Sequence, residues 1–535
     1  MADITSGAGA SAPARIANPW LIAMVVSTAT FMEVLDTTIA NVALRYISGG
    51  LAVSSDEASW VVTTYLVSNA IVLVASSFIA KRYGRRRFYL LCLATFTITS
   101  ILCGLAWNLE TLLIFRMIQG FAGGGMVPIS QSILADSFPP AKRGQAFAMF
   151  GVAVVVAPVV GPTLGGYLSD NFSWHWCFLI NGPVGVLSFA LAYFLVQEPD
   201  SLRKERAAMR KKGTRFDLIG FLAVATFLGS LELVLDRGQT DDWFGSNFII
   251  VTTAICVLAL AFAIGWLLTR DNPILDIRML ASRQFGSSFI VMLATGAILI
   301  ATTQFLPEVL QQNFGYTATW AGLSLSPGGI VTMAMMFVAG RLTSIVQPKY
   351  MIAVGAAIIA GSMWGLTRLY ADLNFAFFVW SRVYIGFGLP LIFIAITAAS
   401  YDGLRKDQTD QASAMINAAR NIGGSIGVSV ASNVLAHREQ WHQSRLVEHV
   451  MPSSPAYNST LQAMSRYFAQ NGASTVDAQS QAMAWIGQQV EVQASYLAYI
   501  DVFYTLALIS AAAVPLALIL RNIDLKGGEG GGGMH

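Results

Sequence analysis

Charge is what this sequence has least of. Asp, Glu, Lys and Arg make up 12% of its 535 residues, where a soluble domain carries roughly 25%. A water-soluble enzyme and a nucleic-acid-binding module both fit that composition badly. Cysteine is scarce too. Cys92, Cys103, Cys177 and Cys256 lie in apolar blocks at unrelated spacings, with no CxxC or Cys/His pairing, so neither a disulfide framework nor a metal site is signalled. They read as small packing residues. No Walker A loop is present, which removes ATP as a direct energy source, and no H-E-x-x-H or nucleophile–base set names a catalytic residue. His437, His442 and His449 share one polar stretch and read as solvated residues, not a zinc site. The Ala/Ser/Gly-rich first 18 residues, with Arg15 alone basic, show no short apolar region with a cleavage site, so a retained tail is expected.

What is abundant is apolar sequence. Hydrophobic residues reach 55% and mean hydropathy is +0.58, in repeated blocks of roughly 20 residues, the length of a helix that crosses a bilayer. A strand-built barrel would show short alternating runs instead. Spans are expected at about 19–44, 58–80, 88–107, 110–134, 144–168, 175–196, 216–235, 247–269, 286–311, 319–340, 350–368, 375–400, 411–436 and 497–520. Charge tests this division. With a cytoplasmic N-terminus, 24 of the 33 Lys and Arg fall in cytoplasmic loops and tails, six in the opposite loops (Arg45, Arg237, Arg368, Arg438, Arg445 and Arg466) and three inside spans (Arg116, Arg382 and Arg420). That split obeys the positive-inside rule, and a miscounted span would scramble it. Both termini are therefore expected in the cytoplasm.

Two connecting stretches stand out. LRKERAAMRKKGTR, within 197–215, is a basic cytoplasmic linker suited to anionic lipid headgroups. The stretch 437–496 is expected to be a long periplasmic loop, partly ordered because Leu461, Met464 and Phe468 repeat at helical spacing. The Gly-rich tail, 521–535, reads as low-complexity.

Ionisable residues inside spans carry the functional signal. Glu33 and Asp36 stand at i,i+3 on one face of the first span. Near a bilayer centre an acidic side chain costs on the order of 2.5–3.5 kcal/mol. Such groups face a partner or an aqueous cavity, and a low-dielectric site that favours the neutral acid is what a reversible proton carrier needs. Arg116 in the fourth span is the natural counter-charge; the alternative is a structural pair that only holds two helices together. Asn41, Gln119, Glu308 beside Pro307, Asn417 and Arg420 are candidates for a substrate cavity. Glu232 is placed at the periphery and Asp501 at the interface where the last span begins. The 19 Met and 31 Phe suit a pocket that repacks around varied ligands.

Several blocks in fixed order resemble a known family. They are FMEVLDTTIANVAL (Phe31–Leu44), AKRYGRRR (Ala80–Arg87), RMIQGFAGGGMVP (Arg116–Pro128) and GVAVVVAPVVGPTLGG (Gly151–Gly166). GYTATWAGLSLSPGG (Gly315–Gly329) and NAARNIGGSIG (Asn417–Gly427) extend the match into the second half. The chain resembles the fourteen-span drug:proton antiporters of the major facilitator superfamily, and among them the EmrB type.

The resemblance implies an all-α membrane protein with the major facilitator fold. Its parts would be a cytoplasmic tail (1–18), an N-terminal six-helix half (19–196), the basic linker, two additional transmembrane helices (216–269) and a C-terminal six-helix half (286–520) that carries the long periplasmic loop. It also implies drug:proton antiport of hydrophobic or amphiphilic compounds across a bacterial inner membrane by alternating access, driven by the proton gradient without a cofactor. Glu33, Asp36 and Arg116 would couple protons. Gly151, Pro158, Gly161, Pro162, Gly165 and Gly166 would form a gating bend. Lys81, Arg82, Gly84 and Arg85 would form a cytoplasmic gate loop, although Lys81 replaces the family's usual Asp and puts that latch in doubt. Partners implied are a periplasmic adaptor of the EmrA type, docking on Glu439–Ser495, and an outer-membrane channel of the TolC type. An exporter or importer of one metabolite or fatty acid on the same fold stays open, as does a non-transporting receptor or scaffold.

Overall fold

A computed structural model describes residues 18–198, 216–270, 273–370, 372–401, 404 and 408–522. The basic part of the linker, the N-terminal tail to residue 17 and the Gly-rich tail from 523 lie outside the described residues. The described chain is helical, with no strand among those residues. The first helices are α1 (Pro19–Leu51), α2 (Ser55–Tyr83), α3 (Arg85–Cys103), α4 (Leu109–Ser137) and α5 (Pro140–Asn171). A one-turn helix, Trp176–Leu179, leads into α6 (Asn181–Leu195). Then come α7 (Leu218–Arg237), α8 (Asn247–Thr269), α9 (Arg283–Asn313), α10 (Ala318–Leu342), α11 (Pro348–Leu366), α12 (Phe375–Ser400), α13 (Thr409–Val447), α14 (Pro455–Gln470) and α15 (Thr475–Leu518).

The ends of these helices follow from local chemistry. Asn18 caps α1 by accepting the Trp20 amide, and Pro19 fills the first turn, where no amide donor is needed. α2 opens with a reciprocal capping box between Ser54 and Glu57. It closes at Gly84, whose φ of +98° few residues with a side chain adopt, so the chain reverses there into α3.

Thirteen helices among the described residues are long and apolar enough to cross a membrane. α13 is the fourteenth long helix and falls short on hydropathy because Gln411, Ser413, Asn417, Arg420, Asn421 and Ser425 lie along it. Those groups are spent on packing: α13 lies against α9 and α15 and also reaches α2, α4 and α7.

The stretch 437–496, expected as a partly ordered loop, has a helix over Leu461, Met464 and Phe468 as their spacing suggested, but it is helical over far more of its length. α13 runs on to Val447, the amphipathic α14 follows, and α15 starts at Thr475, over twenty residues before the expected span. Nothing between His437 and Val447 breaks a helix, whereas Pro452 and Pro455 separate α13 from α14. Gly472 at φ +97° turns the chain into α15. Asp501 accordingly sits within α15 and not at its start, paired with Arg438 at 3.2 Å and His442 at 2.9 Å.

Two groups of helices result. α1 packs on α5, α2 on α4, and α3 on α4 and α6; in the second group α9 packs on α13, α10 on α12, and α11 on α12 and α15. The pair α7/α8 lies against α2, and α5 against α10 joins the groups. That join needs small residues, since a Cβ on Gly340 would stand 2.9 Å from the Gly144 carbonyl oxygen. The groups are also tied at the end where the Gly84 turn lies. Phe147 stacks on Tyr401 with centroids 5.5 Å apart, and Asn417 donates to Gln131 at 2.7 Å.

Candidate functional site

The first-span acids sit in the middle of α1, and both are buried, Glu33 at 5% and Asp36 at 1% exposure. Two helices converge on Asp36. Arg116 Nη1 from α4 reaches it at 2.6 Å. Gln119, one turn further along α4, donates to it at 3.0 Å, and Asn181 at the start of α6 donates at 2.7 Å. Arg116 is fully enclosed: it also donates to the Gln119 side chain at 2.9 Å and to the Val61 carbonyl at 3.1 Å. Its guanidinium lies 4.2 Å from the Tyr65 ring centroid. Asp36 is therefore held by one cation and two amides, each of which favours a carboxylate.

Glu33 is held differently. Its Oε1 accepts from the Tyr65 hydroxyl and from Asn69, each at 3.1 Å. Both donors are neutral, and no cation among the described residues forms an ion pair with it. Asn69 in turn accepts from Asn421 of α13 at 3.5 Å. Asn421 accepts from the Arg420 guanidinium at 3.2 Å. A polar chain thus runs from Glu33 through Asn69 and Asn421 to Arg420, crossing from one helix group to the other.

Arg116 thus meets Asp36, while Glu33 stands apart from that ion pair. Gln119 joins the Asp36 network, Arg420 ends the Glu33 chain, and Asn417 ties α13 to Gln131 of α4. Asn41 is exposed on α1 and takes no part in these bonds. Glu308 is half-buried elsewhere, accepting from Gln312 at 3.3 Å, which itself accepts from Tyr499.

The Gly/Pro block of α5 serves close packing on two sides. A Cβ on Gly161 would lie 2.1 Å from Thr38 Oγ1, and one on Gly165 3.3 Å from the Ile39 carbonyl oxygen, so this face fits only against α1. Gly151 faces α10 and α12, where a Cβ would meet Met336 Sδ at 2.9 Å. Pro158 and Pro162 both lie inside the helix, each removing one backbone donor. Pro158 and Gly166 are buried, and Pro162 is partly so.

In the basic turn, Lys81 and Arg82 end α2, Gly84 makes the reversal, and Arg85 begins α3. Arg85 is paired with Asp136 of α4 and with Asp410 of α13, the latter at 2.9 Å, so the ionic tie between helix groups runs through Arg85.

Sequence reasoning missed Tyr65, Asn69, Asn181, Asp136 and Asp410. It placed Arg382 inside a span but gave it no role; on α12 this arginine is 2% exposed and, among the described residues, donates only to hydroxyls, Thr302 and Thr303 of α9, each at 3.2 Å. A signal existed: RMIQGF from Arg116 and RVYIGF from Arg382 share a spacing, and each arginine lies seven residues into its helix.

The major facilitator superfamily model matches residues 26–428, most of the chain and all of the site residues above except Tyr499. The chain belongs to the major facilitator superfamily. Within this superfamily it is 36% identical over 521 residues to the multidrug export protein EmrB of Escherichia coli K12, covering 96% of this chain and 98% of that one. It is 33% identical to the fatty acid resistance protein FarB of Neisseria gonorrhoeae, covering 95% and 97%. It is also 29% identical to the colistin resistance protein EmrB of Acinetobacter baumannii, covering 95% and 97%. The proton:xylose symporter XylE superposes with a TM-score of 0.57 at 14% identity, over 93% of this chain and 96% of that one, which shows the shared fold. A major facilitator of the EmrB type is a multi-pass membrane transporter and not an enzyme.

Proposed function

We propose that the chain exports hydrophobic or amphiphilic compounds across a bacterial inner membrane in exchange for protons. The observation that carries this reading is the contrast between Glu33 and Asp36. Asp36 is fixed by Arg116, Gln119 and Asn181, so protonating it means giving up a buried ion pair. Among the described residues Glu33 accepts hydrogen bonds only from neutral donors, with the Arg420 charge acting on it at longer range, so it gains or loses a proton without giving up a direct ion pair. Glu33 is the proton carrier and Asp36–Arg116 the fixed charge pair beside it. Arg420, at the far end of the Asn69–Asn421 chain, is the group by which the other helix group senses the charge on Glu33. Substrate and proton compete as the groups rock about this depth, driven by about 2.3 kcal/mol per charge per 100 mV.

Relatives whose names record export of several drugs and resistance to fatty acids and colistin support a broad amphiphilic substrate range. The α14 helix with the adjoining ends of α13 and α15 is the docking element for a periplasmic adaptor of the EmrA type, which connects to an outer-membrane channel of the TolC type. Both termini are cytoplasmic in this reading. Substrate-induced proton release from protein in liposomes tests the exchange. Release of the exchanged proton that vanishes in Glu33→Gln supports it, and binding without release from any ligand removes it. Retained adaptor binding after deletion of 448–474 would remove the docking assignment.

A further inference from the structure

The helix α7 is expected from sequence to be peripheral, yet it carries a carboxyl into the contact between the two helix groups. Glu232 is 6% exposed, and its Oε1 accepts from Ser425 of α13 at 2.7 Å. At 1.5 Å per residue it lies about 21 Å along α7 from Leu218 and about 8 Å short of the Arg237 end, within the apolar span. The same helix is fastened to α2 by different means. Thr63 donates to Asp236, and Arg237 reaches Asp56 at 2.9 Å and Ser59 at 2.7 Å. Apolar packing continues this fastening along Val74, Val224 and Leu228. α7 therefore rides with α2, and Glu232 is its polar link across to α13.

We propose that Glu232 is a second proton-binding site, outside the Glu33/Asp36 pair, whose occupancy is set by contact between α7 and α13. Among the described residues, the charges around it leave it no counter-ion. On its own helix Asp236 is occupied by Thr63, and Arg237 by Asp56 and Asp241. On α2, Asp56 is taken up by Arg237. From α8, the Cys256 thiol is directed at the Phe227 carbonyl. On α13, Arg420 donates to Asn421, and its charge acts on Glu33. Enclosed at this depth with one hydroxyl donor, Glu232 keeps its proton while α13 is in contact, because an unpaired charge there is costly. When α13 withdraws, Ser425 leaves and water enters; the carboxylic O–H bond breaks, the electron pair stays on the carboxylate and the proton passes to water. The site thus converts separation of the helix groups into release of one proton, independently of which first-span acid serves exchange.

Spin labels on Thr240→Cys beside α7 and Val430→Cys on α13, both at exposed positions, report the separation by double electron–electron resonance in lipid nanodiscs. In the parent, the longer distance grows from mildly acidic to mildly alkaline pH. Glu232→Gln, whose amide oxygen still accepts from Ser425, holds the shorter distance across the range. Glu33→Gln loses drug/proton exchange but keeps the pH response, which separates this site from the exchange reading. A parent distance that ignores pH, or a Glu232→Gln protein that titrates like the parent, overturns the proposal.

Discussion

Asp36 of α1 and Arg116 of α4 meet at 2.6 Å with both side chains fully excluded from solvent. Such a pair is not in itself a large source of stability, because two desolvated ions repay little more than they cost. Its consequence is an asymmetry: removing either member strands the other.

Arg116→Ala is therefore expected to lower stability by about 3–5 kcal/mol, because it leaves a buried Asp36 carboxylate without its cation. The double change Arg116→Met with Asp36→Leu is expected to recover most of that loss. Thermal unfolding of the purified proteins in detergent checks both. A single change as mild as a surface substitution would contradict the burial argument.

The close approach of α1 and α5 makes a second prediction. A methyl group at Gly161 has no room beside Thr38, so Gly161→Ala is expected to destabilise by about 1–3 kcal/mol through overpacking. Thr38→Gly in the same chain is expected to restore part of it, and a double-mutant cycle on unfolding reads the coupling.

The Arg85–Asp410 pair bridges α3 and α13 at the end of the molecule that holds the Gly84 turn. Asp410→Asn is expected to raise labelling of a cysteine placed at Ser413, about tenfold for each 1.4 kcal/mol of lost closure. Arg85→Gln is expected to raise it similarly, with little further gain when the two are combined. Additive effects would place the latch elsewhere.

Long apolar helices were the most legible part of the sequence, because twenty-residue blocks and the distribution of Lys and Arg are one-dimensional signals. So was the pairing of a first-span acid with Arg116, since few charges lie at that depth and they must find one another. The ligands of those charges were not legible. Tyr65, Asn69 and Asn181 are common residue types in helices, and nothing local marks them as donors to Glu33 or Asp36. Asp136 and Asp410 stand at helix ends, where an acidic residue reads as solvated until Arg85 is seen between them. Glu232 read as peripheral because its helix is an addition to the twelve-helix core, and only packing shows that α7 touches α13. The stretch 437–496 read as a loop because it is polar, although a polar helix outside the bilayer has the same composition.

The central claim is that Glu33 carries the exchanged proton while Asp36 stays fixed against Arg116. Proton release on addition of a hydrophobic uncoupler, a quinolone or a fatty acid to the purified protein in liposomes tests it most directly, comparing the native chain with Glu33→Gln and Asp36→Asn. Glu33→Gln is expected to bind ligand and release no exchange proton, while Asp36→Asn still releases one with altered affinity. Release that survives in Glu33→Gln and vanishes in Asp36→Asn would contradict the account and make Asp36 the carrier.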